Sequence, residues 1–362
     1  MIGRACRRLR RGLLVVDRVV RLRLLLFSGL LPLLGAATVR RDLSAGQIAA
    51  LLGVSLCFHV YSYVLNDVID LPIDRTQPLR QEDLLVRGAI RPWQALLLAL
   101  AGIPLSIPLT LGLGGSGRAL ATLALGFALM AIYNLWGKRC AVPPVTDAVQ
   151  GLAWGSLVLY AALALGGEPN RLTWIVVAYC IGLILLINGF HGPLRDLDND
   201  LASGARTTAI FLGVRPSPGG AVRVPWVVPV FAYAIQASLV ALDLVPLLRN
   251  DLGYGPATRI AMLGIVGALD LAALLLLSPA LAPERPEWQM AWRLQLFLVV
   301  VTLPVLFVPY VSAPIRYALL LLVAITLLLL RLTYTIAGLL VRRVRSALRL
   351  RGGPLSTPAR PR

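Results

Sequence analysis

The amino-acid sequence predicts an all-α protein, a polytopic transmembrane helical bundle. Three observations lead to this class. The 362 residues are 58% hydrophobic and only 14% charged, and the mean hydropathy is +0.78. The apolar residues also fall in separate runs of about 20 residues, the length that an α-helix needs to cross a bilayer. A soluble domain of this length does not have such a composition, whereas a multi-pass membrane protein does.

Ten apolar runs are long enough to be spans, and nine is also possible, because only Ser312-Ala313-Pro314 separates the last two. The runs lie near residues 22–38, 46–65, 93–113, 118–136, 146–166, 173–191, 225–248, 258–281, 294–312 and 316–341. We therefore expect nine to ten spans. A basic N-terminal segment (1–21) precedes this transmembrane domain (22–341), and a basic, disordered C-terminal tail (342–362) follows it.

Basic residues orient the spans. The formal net charge is +18, with eight arginines in residues 1–23 and seven in residues 342–362. Basic segments beside spans stay in the cytoplasm, so alternating spans place both termini and the two acidic loops described next on the cytoplasmic face of a bacterial plasma membrane. Arginines at the termini and in short loops suit anionic lipid headgroups. Nucleic-acid binding is a poor explanation of this charge.

Two acidic clusters stand at the ends of apolar runs. N-D-V-I-D-L-P-I-D covers residues 66–74, and R-D-L-D-N-D covers residues 195–200, so three acids in each run account for six of the 17 in the chain. Carboxylates crowded at a membrane boundary repel one another unless a cation neutralises them. Mg²⁺ takes oxygen ligands and is commonly shared with substrate phosphates. The clusters therefore indicate magnesium-dependent chemistry on a diphosphate at the membrane surface.

Helical spacing places the first cluster on one stripe of its span. Side chains four residues apart share a helix face, which applies to Asn66, Asp70 and Asp74, and Asp67 lies three residues before Asp70. Tyr63 lies about one turn earlier on the same stripe. We expect the acids to face a site and Tyr63 to point into the bundle beneath them.

Prolines interrupt both clusters. Pro72 should kink or end the first helix near residues 68–71, and Pro193 makes a regular helix doubtful before the second cluster. Asp196 and Asp200 again have a four-residue spacing, whereas Asp198 would project from the opposite side of a regular helix.

The motifs together resemble the UbiA superfamily of intramembrane prenyltransferases. N-D-x-x-D-x-x-x-D follows the second span, and D-L-D-N-D-L-A-S-G-A-R-T follows the sixth. The resemblance implies a helical bundle around a central cavity with a lateral opening to lipid. It also implies that Mg²⁺ is held between the two motifs with an isoprenoid diphosphate bridging them. The metal ligands expected on this basis and from the clusters are Asn66, Asp67, Asp70, Asp74, Asp196 and Asp200.

Lys138 lies in a segment, Y-N-L-W-G-K-R, that resembles the tyrosine-to-lysine segment of the family and would contact the diphosphate. Arg80, Arg87 and Arg206 would stabilise the negative charge that builds up on the leaving diphosphate. Tyr63 and Tyr133 are expected as catalytic cavity residues, whose ring faces stabilise an allylic cation. The loop after the first motif departs from the lysine and Arg-Pro usual in the family, and this leaves the acceptor open.

Three further polar residues lie within spans. Asn188 and His191, three residues apart near the end of the sixth span, are expected to face the cavity and the substrate. A histidine there is also consistent with a hydrogen-bonded contact between helices. Asp270 lies near the middle of the eighth span without a visible partner there, and acids at such depth are functional or paired.

The main interpretation is transfer of a prenyl group from an isoprenoid diphosphate to a small, hydrophobic or aromatic acceptor within the membrane. A membrane terpene cyclase of the same superfamily would carry the same diphosphate-ionising residues. A cation-coupled transporter would place its acids in the middle of discontinuous spans, and the two clusters lie at the interface instead. The D-x-x-D-G-x-x-A-R run of CDP-alcohol phosphotransferases is absent from the sequence.

Overall fold

The computed structural model of the protein describes residues 19–21, 24–77, 80–217, 221–285 and 288–325. Most of the predicted basic N-terminal segment (1–21), the end of the last predicted span and the whole predicted tail (342–362) lie outside these residues.

The described chain is helical almost throughout. Its α-helices are α1 (Leu25–Val39), α2 (Ala45–Ile69), α3 (Leu71–Asp74), α4 (Pro92–Gly112), α5 (Gly117–Trp136), α6 (Pro143–Ala164), α7 (Arg171–Leu186), α8 (Gly192–Ala202), α9 (Thr208–Phe211), α10 (Val227–Leu248), α11 (Pro256–Ala280), α12 (Trp288–Phe307) and α13 (Ala313–Ile325). A 3₁₀ turn at Gly137–Arg139 follows α5, and a π-helical turn at Ile187–His191 joins α7 to α8. Two short strands, β1 (Arg215–Pro216) and β2 (Val222–Arg223), pair antiparallel.

The membrane-spanning character predicted from composition is confirmed. Within the described residues, eight helices are long and apolar enough to cross a membrane, and α1 and α13 are shorter apolar helices. One boundary differs from the prediction. The sixth predicted span, 173–191, continues as one helical rod through α7, the π turn and α8, so the second acidic cluster lies on a helix and not in a loop.

Glycines bring the helix backbones into direct contact. A Cβ built on Gly35 of α1 would lie 2.3 Å from the carbonyl oxygen of Val158 on α6, and one on Gly102 of α4 would lie 2.6 Å from the carbonyl oxygen of Cys57 on α2. Lipid tails are as apolar as the side chains, so helices in a bilayer associate largely through close van der Waals packing at small residues. These contacts set the spacing of the bundle around the site.

Buried polar groups also lie between helices at membrane depth. Asp243 of α10 and Asp270 of α11 are 0% and 4% exposed, and their carboxyl groups lie within interacting range of each other and of Tyr179 on α7. Tyr179 itself donates to the carbonyl oxygen of Val299 on α12 at 2.7 Å. Asp270, which has no partner within its own span, therefore faces an acid from the neighbouring helix.

Candidate active site

The two acidic clusters meet at one end of the bundle. The Gln77 amide nitrogen donates to the Asp196 carboxylate at 2.8 Å, and the Thr76 hydroxyl donates to the Asn199 side-chain oxygen at 3.1 Å. The segment after α2 thus contacts α8 directly through two hydrogen bonds. The motifs therefore share one face of the membrane, as the alternation of the spans predicts.

Pro72 determines how the first cluster is presented. The ring removes a backbone donor, so α2 ends at Ile69 and a new helical turn, α3, begins at Leu71. Asp70 occupies the junction, and its backbone amide still bonds to the Asn66 carbonyl at 2.8 Å. The Asn66 side-chain nitrogen donates to the Asp70 carboxylate at 3.2 Å. The predicted interruption brings Asn66, Asp70 and the buried Asp74 to the same end of α2.

The second cluster is presented by the π turn and α8. Pro193 cannot donate a backbone hydrogen bond, and the preceding turn widens, with the Gly192 amide bonding to the Ile187 carbonyl. The helix then continues regularly, which buries Asp200 and leaves Asp198 exposed on the other side. Gly204 ends this segment with a φ of +70°, a conformation that favours glycine.

Lys138 lies between the two clusters. Its ammonium group is 3.0 Å from the Asp70 carboxylate and within electrostatic range of Asp200 and Asp74. The backbone amide of Arg206 donates to the Lys138 carbonyl at 2.8 Å, which fixes the 3₁₀ turn against the segment after α8. The only lysine of the sequence is thus placed where both motifs can share its charge.

Arg80 is the second cation beside the first cluster. Its guanidinium lies 3.9 Å from the Asp74 carboxylate, 3.8 Å from Asp67 and 3.0 Å from Asp83. Burial raises the pKa of Asp74 to about 6, and the positive charge of Arg80 opposes this rise. Asp74 is therefore a carboxyl group whose charge depends on nearby cations.

Asp67 also contacts a cation of the N-terminal segment. Its carboxylate forms an ion pair with Arg21, and the Arg21 guanidinium lies 5.3 Å from the centre of the Tyr63 ring. Arg21 is a functional candidate that sequence analysis missed, because it lies 46 residues from Asp67 in a run of arginines that spacing does not distinguish.

Aromatic rings form a wall next to the first cluster. Tyr63 lies 6.0 Å from Trp154, and Trp154 makes edge-to-face contacts with Phe58 at 5.2 Å and Phe27 at 5.3 Å. Trp154 and Phe58 are fully buried, whereas Tyr63 is partly exposed. Tyr63 is therefore the ring of this wall nearest the acids.

Tyr133 packs at the other side of the acids. Its ring lies against Gly137, where a Cβ would come within 3.1 Å of the ring, so the glycine permits this placement. Tyr133 is within electrostatic range of Asp70 and Asp200. Both tyrosines expected as cavity residues thus lie close to the acidic clusters.

A buried polar network beneath the acids includes four residues that sequence analysis did not identify. The Asn188 amide nitrogen is 3.2 Å from both the Tyr133 hydroxyl and the Asp147 carboxylate, and it also contacts Gln150. Thr208 donates to the other Asp147 oxygen at 2.5 Å. The fourth, Asn134, is bonded separately, since its side-chain oxygen accepts from Asn66 at 3.4 Å. Single polar residues in apolar runs carry no spacing signal, and only the fold shows that they converge.

Other predicted substrate-binding residues lie apart from this group. His191 bonds to Gln295 of α12 at 2.9 Å and stacks on Trp292, so it forms the helix–helix contact that was the other interpretation. Arg87 is exposed and pairs with Glu82 at 3.3 Å. Arg206 contributes its backbone to the site, while its side chain is exposed.

The donor set suits Mg²⁺ shared with a substrate. The site offers oxygen atoms from carboxylates and from Asn66, which Mg²⁺ prefers, and Mg²⁺ commonly needs only one or two carboxylates when phosphates complete its shell. No cluster of three or more His, Cys, Asp or Glu side chains able to hold a metal occurs among residues 19–325 as far as they are described. The carboxylates instead pair with Lys138, Arg80, Arg195 and Gln77.

The fold and site define a polytopic helical membrane protein with two converging acidic motifs at one face. The family model described as the UbiA prenyltransferase family matches residues 25–272, and the chain belongs to that family.

Curated relatives match part of the chain. The 4-hydroxybenzoate octaprenyltransferase of Burkholderia mallei is 29% identical over 149 residues, 41% of this chain and 50% of that protein. The digeranylgeranylglyceryl phosphate synthase of Natronomonas pharaonis is 31% identical over 155 residues, 42% of this chain and 52% of that protein. The chain spans about half the length of the curated relatives it matches.

Solved structures share the fold. The apo structure of a UbiA homolog from Aeropyrum pernix K1 has a TM-score of 0.61 at 19% identity and covers 78% of this chain and 96% of that one. A UbiA homolog from Archaeoglobus fulgidus bound to GPP and Mg²⁺ has a TM-score of 0.57 at 16% identity, with 81% and 99% covered. At these identities the likeness shows the fold alone.

Proposed function

We propose that this protein transfers a prenyl group from an isoprenoid diphosphate to a small aromatic acceptor within the membrane, and that the reaction depends on Mg²⁺. The observation that carries the proposal is the contact between the two acidic clusters, with Lys138 between them. The activities named for the relatives from Burkholderia and Natronomonas support prenyl transfer, and the GPP and Mg²⁺ bound to the Archaeoglobus homolog support the donor and the metal. The Burkholderia enzyme, named for 4-hydroxybenzoate, supports the aromatic acceptor, whereas the Natronomonas enzyme is named for a glyceryl phosphate.

The acids would hold Mg²⁺ and the cations would bind the diphosphate directly. The metal-holding residues proposed are Asn66, Asp67, Asp70, Asp74, Asp196 and Asp200. Bound Mg²⁺ would neutralise negative charge on the leaving diphosphate. Lys138 and Arg80 lie against Asp70 and Asp74 in the structure. When metal binds these carboxylates, the two cations would contact the phosphate oxygens instead. Both effects lower the barrier to breaking the allylic carbon–oxygen bond.

The apolar part of the donor needs a dry channel. Tyr63 and Tyr133 lie beside the acids, where their ring faces can stabilise an allylic cation. A small apolar cleft lies between α1, α7 and α12 and is lined by residues such as Leu30, Leu183 and Leu303. Positive charge at the ends of the chain favours a cytoplasmic position for the site.

Turnover by the purified protein tests the proposal. Geranyl diphosphate, Mg²⁺ and 4-hydroxybenzoate are incubated with wild type, Asp70→Ala, Asp196→Ala and the exposed control Asp198→Ala, and prenylated product is measured. We expect product with wild type and the control, and loss of at least 100-fold with the other two at unchanged melting temperature.

Two results would contradict this assignment. Wild-type turnover by Asp70→Ala or Asp196→Ala would exclude the acidic clusters as the reaction centre. A cyclic hydrocarbon or a cyclic alcohol formed from the diphosphate without acceptor would show a terpene cyclase instead of a transferase.

A further inference from the structure

Asp147 is a buried carboxyl group that belongs to neither acidic cluster. It lies in the second turn of α6 and is 6% exposed. One carboxylate oxygen accepts from Asn188 at 3.2 Å and the other from Thr208 at 2.5 Å. Both donors are uncharged. Among the described residues, no Lys, Arg or His lies within ion-pair distance of Asp147, in contrast to Asp67, Asp70 and Asp74.

Tyr133 connects Asp147 to the proposed reaction centre. This tyrosine is within electrostatic range of Asp147 on one side and of Asp70 and Asp200 on the other. Its hydroxyl also lies 3.2 Å from the Asn188 amide that binds Asp147. Asp147 is therefore separated from the diphosphate-binding acids by a single aromatic side chain. From this position Asp147 can contact an acceptor that lies on the side of Tyr133 away from the diphosphate-binding acids.

Three partly exposed polar side chains surround the Asp147 carboxyl group. Tyr133, Asn188 and Gln150 project from α5, the π turn and α6 toward one another, and each remains partly exposed although they lie inside the bundle. Asp147 and Gln150 contribute hydrogen-bond acceptors, and the donors of Asn188 are already used by them. Such a set suits a ligand that donates a hydrogen bond and repels an anionic carboxylate.

We propose that Asp147 binds the hydroxyl group of the acceptor and removes its proton during transfer, an assignment that rests on the proposed function. The matching acceptor is a phenol whose hydroxyl points to Asp147 and whose ring lies between Tyr133 and the allylic carbon. Any carboxylate on that ring points away from Asp147. Proton transfer to Asp147 removes a buried negative charge that no cation in contact neutralises.

The bonds balance as follows. The phenol O–H bond breaks and its proton moves to Asp147, while the ring carbon ortho to the hydroxyl forms a bond to the allylic carbon. The allylic C–O bond breaks, and its electron pair leaves with the diphosphate. The resulting dienone loses its ring proton to pyrophosphate, and Asp147 returns its proton to the oxygen. The products are the prenylated phenol and protonated pyrophosphate.

The isosteric variant Asp147→Asn tests whether Asp147 acts on the acceptor or on the diphosphate donor. Transfer from geranyl diphosphate to 4-hydroxybenzoate and release of pyrophosphate without acceptor are both measured. We expect transfer to fall by about 100-fold or more, since a general base typically contributes about 100- to 10,000-fold. Pyrophosphate release and the KM for geranyl diphosphate stay within about 3-fold. Asp243→Asn, a matched change of another buried acid, should leave both rates near wild type.

The acidity of the acceptor provides a readout that a structural role of Asp147 would not change. A ring-fluorinated 4-hydroxybenzoate with free positions beside the hydroxyl has a phenol that ionises more easily, so it needs the base less. The ratio of wild-type to Asp147→Asn transfer should shrink by about 10-fold with this acceptor. Asp147→Glu, which keeps a carboxylate, should retain transfer within about 10-fold of wild type and replaces the asparagine variant if that variant does not fold.

The outcomes separate the two proposals. Unchanged transfer by Asp147→Asn, or a ratio that does not depend on acceptor acidity, overturns the role of Asp147 and leaves the proposed function standing. Equal loss of transfer and pyrophosphate release also overturns it, since Asp147 would then support the diphosphate site. No magnesium-dependent turnover of geranyl diphosphate by wild type would overturn the proposed function and this assignment with it.

Discussion

Gly35→Ala should destabilise the protein by pushing α1 and α6 slightly apart. The added Cβ would lie 2.3 Å from the Val158 carbonyl oxygen, 2.7 Å from its Cα and 2.8 Å from its carbonyl carbon. All three atoms belong to the backbone of α6 and cannot rotate away. Reaching even 3.0 Å, below which real Cβ contacts essentially do not occur, requires α1 and α6 to part by roughly 0.7 Å (3.0 − 2.3).

The expected cost follows from that displacement. Overpacking a well-packed interface costs ~1–3 kcal/mol, which lowers the melting temperature by several degrees in a protein of this size. Gly264→Ala is the control, because a Cβ there meets nothing within 4 Å. It should leave stability unchanged or raise it by up to about 1 kcal/mol, since alanine favours a helix over glycine.

Thermal unfolding of the detergent-purified variants measures both changes. The assay is loss of the monodisperse elution peak after heating at stepped temperatures. If Gly35→Ala melts together with wild type and Gly264→Ala, the close approach of α1 and α6 does not limit packing, and the reasoning from Gly35 is refuted.

Three further predictions concern the site and its orientation. A chelator should abolish turnover and added Mg²⁺ should restore it, as measured by product formation; activity in excess chelator would rule out a required metal. Lys138→Met should raise the KM for geranyl diphosphate by about 10- to 100-fold, because a hydrogen bond to a charged group contributes ~1.5–3 kcal/mol, and a variant with wild-type KM would remove Lys138 from the diphosphate site. In a variant retaining only Cys140, which is free and partly exposed beside the site, a membrane-impermeant thiol reagent should label inverted membrane vesicles and spare intact cells; the reverse pattern would place the site outside.

The sequence predicts the parts of this protein that depend on local properties. Apolar length locates the helices, since each span satisfies its own backbone hydrogen bonds and needs no partner to be recognised. Spacing of four residues aligns Asn66 with Asp70, and Pro72 predicts where α2 ends. Both follow from neighbours in the chain.

The parts that the sequence does not predict depend on contacts between distant elements. Asp147 and Thr208 are 61 residues apart, and each is a single polar residue with no periodic signal. The π turn before Pro193 also escapes a spacing argument, although it carries Asn188 into the Asp147 network. His191 shares that turn yet contacts α12. The direction in which a side chain points from such a turn can be predicted only when the geometry of the turn and the neighbouring helices are known.

The facing acids of α10 and α11 bear on how the protein enters the bilayer. An acid inside a span costs insertion free energy, about 2.5–3.5 kcal/mol for an acid at the helix centre by translocon scales, and Asp270 lies near the middle of α11. Asp243 and Asp270 lie on consecutive helices joined by the short segment 249–255. Each helix shields the acid of the other only when both are in place. We therefore expect α10 and α11 to leave the insertion machinery and enter the lipid together. In a chain truncated after α10, this helix should remain bound to that machinery.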